Sequence, residues 1–273
     1  ILLMIIIHYR QTERKHFAYS SYFSSHPHNI NDLQQRIEVP ETDDEIKKLI
    51  ITFNDMISRL DQSFEKQKQF ISDASHELRT PISVIQGYVN LIDRWGKSDT
   101  EVLEESISSI KYETEHMANL IKQLLFLART DNKTQTAQLK PENISIIAED
   151  VVKEATVMDP KISIKFTGNN SVAANIDEHL IKQLMWIFVD NAIKYSADKP
   201  IIIDVNTGYE DGKPFFSVTD KGIGMEQENI NHIFDRFYRA DQSRNKEIDG
   251  NGLGLSIAKW IIEQHNGHID VIT

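Results

Sequence analysis

From Ile46 onward, apolar residues recur in alternating steps of four and three: Ile46, Ile50, Phe53, Ile57, Leu60, Phe64, then Ile71, Ala74, Leu78, Pro81, Ile85, Tyr88 and Ile92, with Gln67 interrupting. A period of 3.5 residues held this long is a coiled-coil seam, not the stripe of an ordinary globular helix. Gly96, Ser98 and Asp99 read as a stop, a turn and a new N-cap. A second seam follows through Ile107, Ile110, Thr114, Met117, Ile121, Leu124 and Ala128. Two such helices joined by a short loop form an antiparallel hairpin, and a single hairpin leaves its seam half covered. Pairing two hairpins in a four-helix bundle covers it, so a homodimer is expected.

Beyond a polar stretch from Asp131 to Gln138 the pattern turns mixed α/β. The periodicity predicts a helix over Ile144–Met158, a strand over Ile162–Phe166 and a helix over Glu178–Tyr195. Strands are predicted over Ile201–Val205 and Phe215–Val218, paired around an Asp211-Gly212 turn. A last helix runs from about Leu253 to His265 with Gly267 past its end. The final His268–Thr273 alternates like a strand just begun. Residues 10 to 43 are polar, with Pro27 and Pro40 as breakers.

The chain opens in the run Ile1-Leu2-Leu3-Met4-Ile5-Ile6-Ile7, followed by Arg10, Arg14 and Lys15. A spanning helix needs roughly 20 apolar residues, so this run alone is too short. It fits the last turns of a longer span with its basic flank on the cytoplasmic side; the alternative is a frayed apolar end. The membrane reading is preferred because nothing nearby would bury the run. It places the protein at the cell membrane with this portion cytoplasmic.

A net charge of -11 argues against nucleic acid as a partner, since such proteins present a basic face. The absence of cysteine removes disulfides and thiolate metal sites and fits a reducing compartment.

With Ile71 at heptad position a, His76 falls at f, farthest from the bundle axis. A nucleophile that must meet both a nucleotide and a separate protein needs that exposure. Imidazole, with an ordinary pKa near 6.5, offers a free nitrogen lone pair at neutral pH. Glu77 beside it can accept or orient the proton of the other ring nitrogen. Pro81 removes the backbone bond to the Glu77 carbonyl, which predicts a kink there. His76-Glu77 also begins a zinc-protease H-E-x-x-H pattern, but Thr80 stands where the second histidine is required. His8, His16, His26, His28, His116, His179, His232, His265 and His268 read as solvated surface residues.

The run Phe70-Ile71-Ser72-Asp73-Ala74-Ser75-His76-Glu77-Leu78-Arg79-Thr80-Pro81 resembles the H-box of sensor histidine kinases of two-component systems. The resemblance implies that His76 is the phosphoacceptor, that Glu77 is the assisting base, and that Thr80 positions water in a phosphatase reaction. Four further segments, in order, resemble the Bergerat-type ATP-binding fold shared by histidine kinases, gyrase, Hsp90 and MutL proteins. They are the N-box Asp190-Asn191-Ala192-Ile193-Lys194-Tyr195-Ser196 and the G1 box Asp220-Lys221-Gly222-Ile223-Gly224-Met225, then the F-box helix Ile233–Arg239 and the G2 box Gly250-Asn251-Gly252-Leu253-Gly254-Leu255-Ser256. The spacing of the G2 glycines departs from a dinucleotide-binding turn, and no Walker A motif is present.

The resemblance implies an ATP site formed by Asn191, Lys194, Tyr195, Asp220, Gly222, Gly224, Phe237, Arg239, Gly250, Gly252, Leu253, Gly254 and Leu255. Asn191 would hold Mg2+, which prefers oxygen ligands. Lys194 can neutralise phosphate charge, Asp220 can accept from an adenine amino group, and the G2 glycines precede a helix N-terminus suited to phosphate. Ala240–Asp249 reads as the flexible part of an ATP lid. Many relatives carry a second Asn four positions before Asn191; here that position is Ile187. Val39-Pro40-Glu41 with Phe53-Asn54-Asp55-Met56 resembles the second half of a HAMP linker.

The expected organisation is therefore the end of a transmembrane helix (1–9), a HAMP-like linker (10–65), a dimerisation and histidine phosphotransfer domain (66–131), and a catalytic ATP-binding domain (138–273) that lacks the family's Gly-rich final hairpin. The fold class is multidomain: an all-α helical hairpin plus an α/β two-layer sandwich. The implied activity is ATP-dependent phosphorylation of His76 within a homodimer. Phosphoryl transfer to an aspartate of a response regulator receiver domain follows, with phosphatase activity on the same partner.

Overall fold

The computed structural model describes residues 36–41, 45–96, 98–158, 162–169, 171–196, 201–240 and 250–273. The expected transmembrane end, most of the upstream linker and the expected lid at 241–249 lie outside the described residues. Among the described residues no helix is long and apolar enough to cross a membrane. The chain divides into two compact units, up to Ile71 and from Ser72.

The first seam is one helix, α1 (Glu45–Trp95), which runs through Pro81 without interruption. In the first unit, the segment before α1 is tied to it by a reciprocal pair. Asn54 Oδ1 accepts from the Ile37 amide at 3.0 Å, and Asn54 Nδ2 donates to the Ile37 carbonyl at 2.8 Å. Arg36 adds a bond to Ser58 at 3.2 Å and an ion pair with Asp61 at 3.9 Å.

In the second unit, the expected stop at Gly96 and N-cap at Asp99 are both present. The amides of Ser98 and Asp99 donate to the Trp95 carbonyl. Asp99 Oδ1 accepts from the amides of Glu101 and Val102, which opens α2 (Thr100–Asp131). The hairpin buries Leu120 and Leu127 almost completely.

The region expected to bind ATP is a two-layer α/β sandwich. Its main sheet has the order β2-β4-β5, with β2 (Ile162–Phe166) parallel to β4 (Ile201–Glu210) and β4 antiparallel to β5 (Lys213–Asp220). Asp211 and Gly212 both have positive φ, the requirement of a two-residue hairpin turn whose twist matches the strands. Alternation along β4 sends Ile203, Val205 and Thr207 inward. Helices α3 (Ile144–Met158), α4 (Glu178–Tyr195) and α6 (Gly254–Gln264) form the second layer, contributing among others Val151, Ala155, Leu184, Met185, Val189, Ile257 and Ile261 to the core. Glu154 pins α3 to α4, accepting from Lys182 Nζ at 2.7 Å and Trp186 Nε1 at 3.1 Å.

Four expectations are corrected. A second sheet, β1 (Lys140–Asn143) antiparallel to β3 (Ala173–Ile176), has no periodic apolar signature and was not anticipated. His268–Thr273 forms no strand; the Thr273 hydroxyl instead bonds to the amide and carbonyl of Met225. The F-box is a series of turns after the single-turn α5 (Gln227–Ile230), because Phe237 adopts a left-handed φ of 61° that no helix accommodates. His265 is not a solvated residue. Its Nε2 accepts from the Asp177 amide at 3.0 Å and its Nδ1 donates to the Ile261 carbonyl at 2.7 Å, joining the end of α6 to the start of α4.

Candidate active site

His76 and Thr80 lie exposed on α1, and Glu77 is half-buried beside them. Leu78 is half-buried and Pro81 buried, so the helix turns one face inward and leaves the imidazole outside, as heptad position f requires.

The four boxes of the ATP-binding region are brought together by three specific junctions. The first joins the N-box to G1. The Tyr195 carbonyl accepts from the Ile223 amide at 3.2 Å, and Ser196 forms a bridge with Gly222. A Cβ added at Gly222 would stand 2.5 Å from the Tyr195 carbonyl oxygen, so only glycine permits this approach. Asp220 Oδ1 shapes the same turn by accepting from the Gly222 amide at 2.7 Å.

The second joins the N-box to G2. Ile187 Cγ2 lies 3.3 Å from where a Cβ on Gly254 would be. The position that carries an extra Asn in many relatives is therefore an apolar packing point against the start of α6. The third joins the F-box to G2, the Phe237 amide donating to the Gly252 carbonyl at 3.0 Å. This closes the base of the loop expected to form the lid.

Electrostatics within the site are set by an i,i+4 pair on α4, Lys194 Nζ to Asp190 Oδ2 at 2.6 Å. A phosphate binding at Lys194 must share its ammonium, with three N–H donors to distribute, with the Asp190 carboxylate. Asn191 lies on the same helix and is half-buried. At the far end of α4, Asp177 caps the helix, Oδ1 accepting from Leu180 and Oδ2 from the Gln138 amide at 2.8 Å. Burial raises the Asp177 carboxyl, but the backbone donors of Gln138, Leu180 and His179 outweigh it and hold the group below its usual range.

Leu253 is fully buried, so its side chain anchors the G2 loop in the core; Leu255 is half-buried and Gly250 and Gly224 have positive φ. Phe237 and Arg239 are half-buried on the F-box side. Two positioning residues went unforeseen. Asn229 Oδ1 accepts from the Tyr238 hydroxyl at 2.7 Å, and Asn251 Oδ1 accepts from the Leu253 amide at 3.3 Å. For Asn251 its place between two glycines is a weak sequence signal; Asn229 has none.

Residues 66–133 match the His Kinase A (phospho-acceptor) domain. Residues 176–273 match the histidine kinase-, DNA gyrase B- and HSP90-like ATPase family. The sensor histidine kinase YkoH of Bacillus subtilis is 43% identical over 85% of this chain and 50% of its own length. The signal transduction histidine-protein kinase ArlS of Staphylococcus haemolyticus is 39% identical over 87% of this chain and 52% of its own. The chain thus spans about half the length of the curated relatives it matches. Among solved structures, histidine kinase ThkA in complex with response regulator protein TrrA shares the fold. The TM-score is 0.57 at 20% identity, over 77% of this chain and 60% of that one. With its phosphoacceptor domain followed by its ATP-binding domain in one chain, the protein belongs to the sensor histidine kinase family.

Proposed function

We propose that this chain is the kinase portion of a two-component sensor, transferring the γ-phosphoryl group of ATP to His76 and then to an aspartate of a response regulator. The reading is carried by one observation: an exposed imidazole on a continuous helix, in the same chain as four nucleotide-box segments that three junctions hold together.

In the phosphorylation step the neutral ring nitrogen of His76 forms a bond to the γ-phosphorus as the bond to the leaving ADP oxygen breaks. Glu77 takes or holds the proton of the other ring nitrogen, so positive charge does not accumulate on the imidazole. Little covalent work falls to the protein; positioning and charge neutralisation dominate. Asp220, with carboxylate capacity beyond its bond to Gly222, is the acceptor for the adenine amino group. Lys194 and the amides that open α6 face the phosphates.

A magnesium ion fits the donors present, since Asn191 supplies a carboxamide oxygen and Asp190 a carboxylate on the same helix turn. When bound, the ion would neutralise phosphate charge. With Ile187 on the G2 side, Asn191 would be the main protein ligand.

The homodimer is supported by apolar seam positions left open in the single chain. Leu60, Phe64 and Ile71 are 52%, 57% and 58% exposed, and Ile107 and Ile121 are 54% and 43% exposed. A second copy covers them. Thr80, one turn from His76, is the residue for positioning water in the reverse, phosphatase reaction. ATP and receiver domains place this portion in the cytoplasm. Incubation with γ-labelled ATP and magnesium tests the whole reading: acid-labile, base-stable label on the chain supports it, and none on a chain that binds ATP refutes it.

A further inference from the structure

One stripe of α4 carries a negative charge into the side of the site where phosphate is expected. Ile187, Asp190, Asn191 and Lys194 stand at i, i+3, i+4 and i+7, so they share one face of that helix. Ile187 fixes where the face looks. Its Cγ2 lies 3.3 Å from where a Cβ on Gly254 would be, and Gly254 is the first residue of α6. The amides that open α6 are those suited to phosphate.

On this face Asp190 Oδ2 meets Lys194 Nζ at 2.6 Å, with side-chain exposures of 50% and 30%. Asn191 is uncharged and Ile187 apolar, so the pair leaves the stripe with no net positive charge to offer a triphosphate. An anion drawn to the Lys194 ammonium meets the Asp190 carboxylate at the same group, and like charges that close oppose binding. A divalent cation reverses the sign, because a hard ion takes carboxylate and phosphate oxygens alike. An aspartate four residues before a lysine also steadies a helix turn, but that role needs only an exposed turn. It gives no reason for the pair to lie on the face that Ile187 turns toward G2.

We propose that Asp190 is a specificity-determining residue that makes the site select magnesium-bound ATP over the bare nucleotide. Its carboxylate offsets Lys194 and repels uncomplexed triphosphate, and it becomes favourable when a divalent cation is shared between it and the phosphates. The site is thereby kept from filling with nucleotide that lacks the ion. The inference rests on the ATP reading proposed above, and its test reads binding, not phosphorylation.

A non-hydrolysable ATP analogue is titrated by calorimetry into the parent, Asp190→Asn and Asp190→Glu, once with excess magnesium and once with chelator. Asp190→Asn keeps the shape and an oxygen for Lys194 while removing the charge. It should bind the metal-free analogue about two- to fivefold more tightly than the parent does, the range a partly screened charge commands. Affinity for the magnesium complex should stay level or fall, so the preference for that form shrinks by at least the same factor. Asp190→Glu keeps the charge and should keep the parent's preference. A purely structural role would lower both affinities together and leave their ratio unmoved. An unchanged ratio in Asp190→Asn, or the same shrinkage in Asp190→Glu, overturns the proposal. A parent that binds both forms equally sinks the proposal and leaves the ATP site standing; a parent that binds neither sinks both.

Discussion

The Phe237 amide donates to the Gly252 carbonyl at 3.0 Å, and at this point a phenylalanine at φ 61° and a glycine at φ 66° lie back to back. A Cβ at Gly252 would stand 2.7 Å from the Phe237 carbonyl carbon and 2.8 Å from the Tyr238 oxygen, both backbone atoms with nowhere to move. Gly252→Ala should therefore force the F-box away from G2 and strain its own backbone by about 1–3 kcal/mol. Calorimetric titration with an ATP analogue should show affinity lost while circular dichroism keeps the helical signal. Unchanged affinity would mean that this junction does not shape the nucleotide site.

His76→Gln removes the nucleophile without touching a packed surface, since the side chain is exposed. Acid-labile phosphorylation should fall to background while ATP affinity and dimerisation are kept. Label persisting on another residue would reassign the acceptor.

Asn191→Asp keeps shape but replaces a neutral oxygen donor with a charge next to Asp190 and the phosphates. Magnesium-ATP affinity should drop by roughly tenfold or more, about 1.4 kcal/mol, with oligomeric state unaltered by light scattering. Equal affinity in parent and variant would remove Asn191 from the site.

Asp177 predicts a pH dependence. Its folded value lies below its unfolded one because backbone donors outweigh burial. The carboxylate therefore contributes its full stability above the unfolded value of about 3.9, and that contribution disappears as pH falls through the lower folded value. Between pH ~6 and ~3 the parent should lose more Tm than Asp177→Asn, whose cap carries no titrating charge. Parallel pH profiles would show that the carboxylate's charge is not what the cap uses.

Local signals in the chain were enough for the long helices, the hairpin between them and the Asp211-Gly212 turn. Heptad spacing, an N-cap aspartate and a two-residue turn all act over a few neighbouring residues. The same holds for the exposure of His76, which follows from its register against Ile71 and Leu78. The boxes were legible as motifs, but their junctions were not. That Ile187 would pack on Gly254, or that Tyr195 would stack its carbonyl against Gly222, depends on how α4, α6 and the G1 turn are brought together by a shared core.

Tertiary structure alone decided the rest. Strands β1 and β3 exist because each completes the other's hydrogen bonds, with no apolar alternation to announce them. His265 became a joint between two helices because the Asp177 amide arrives beside it from the other side of the sandwich. Arg236 meets Asp131 across a separation no sequence period can encode. Periodicity and caps are read within a turn or two of the chain, whereas these contacts are set by which surfaces the apolar core pulls together, and that is a property of the packed molecule.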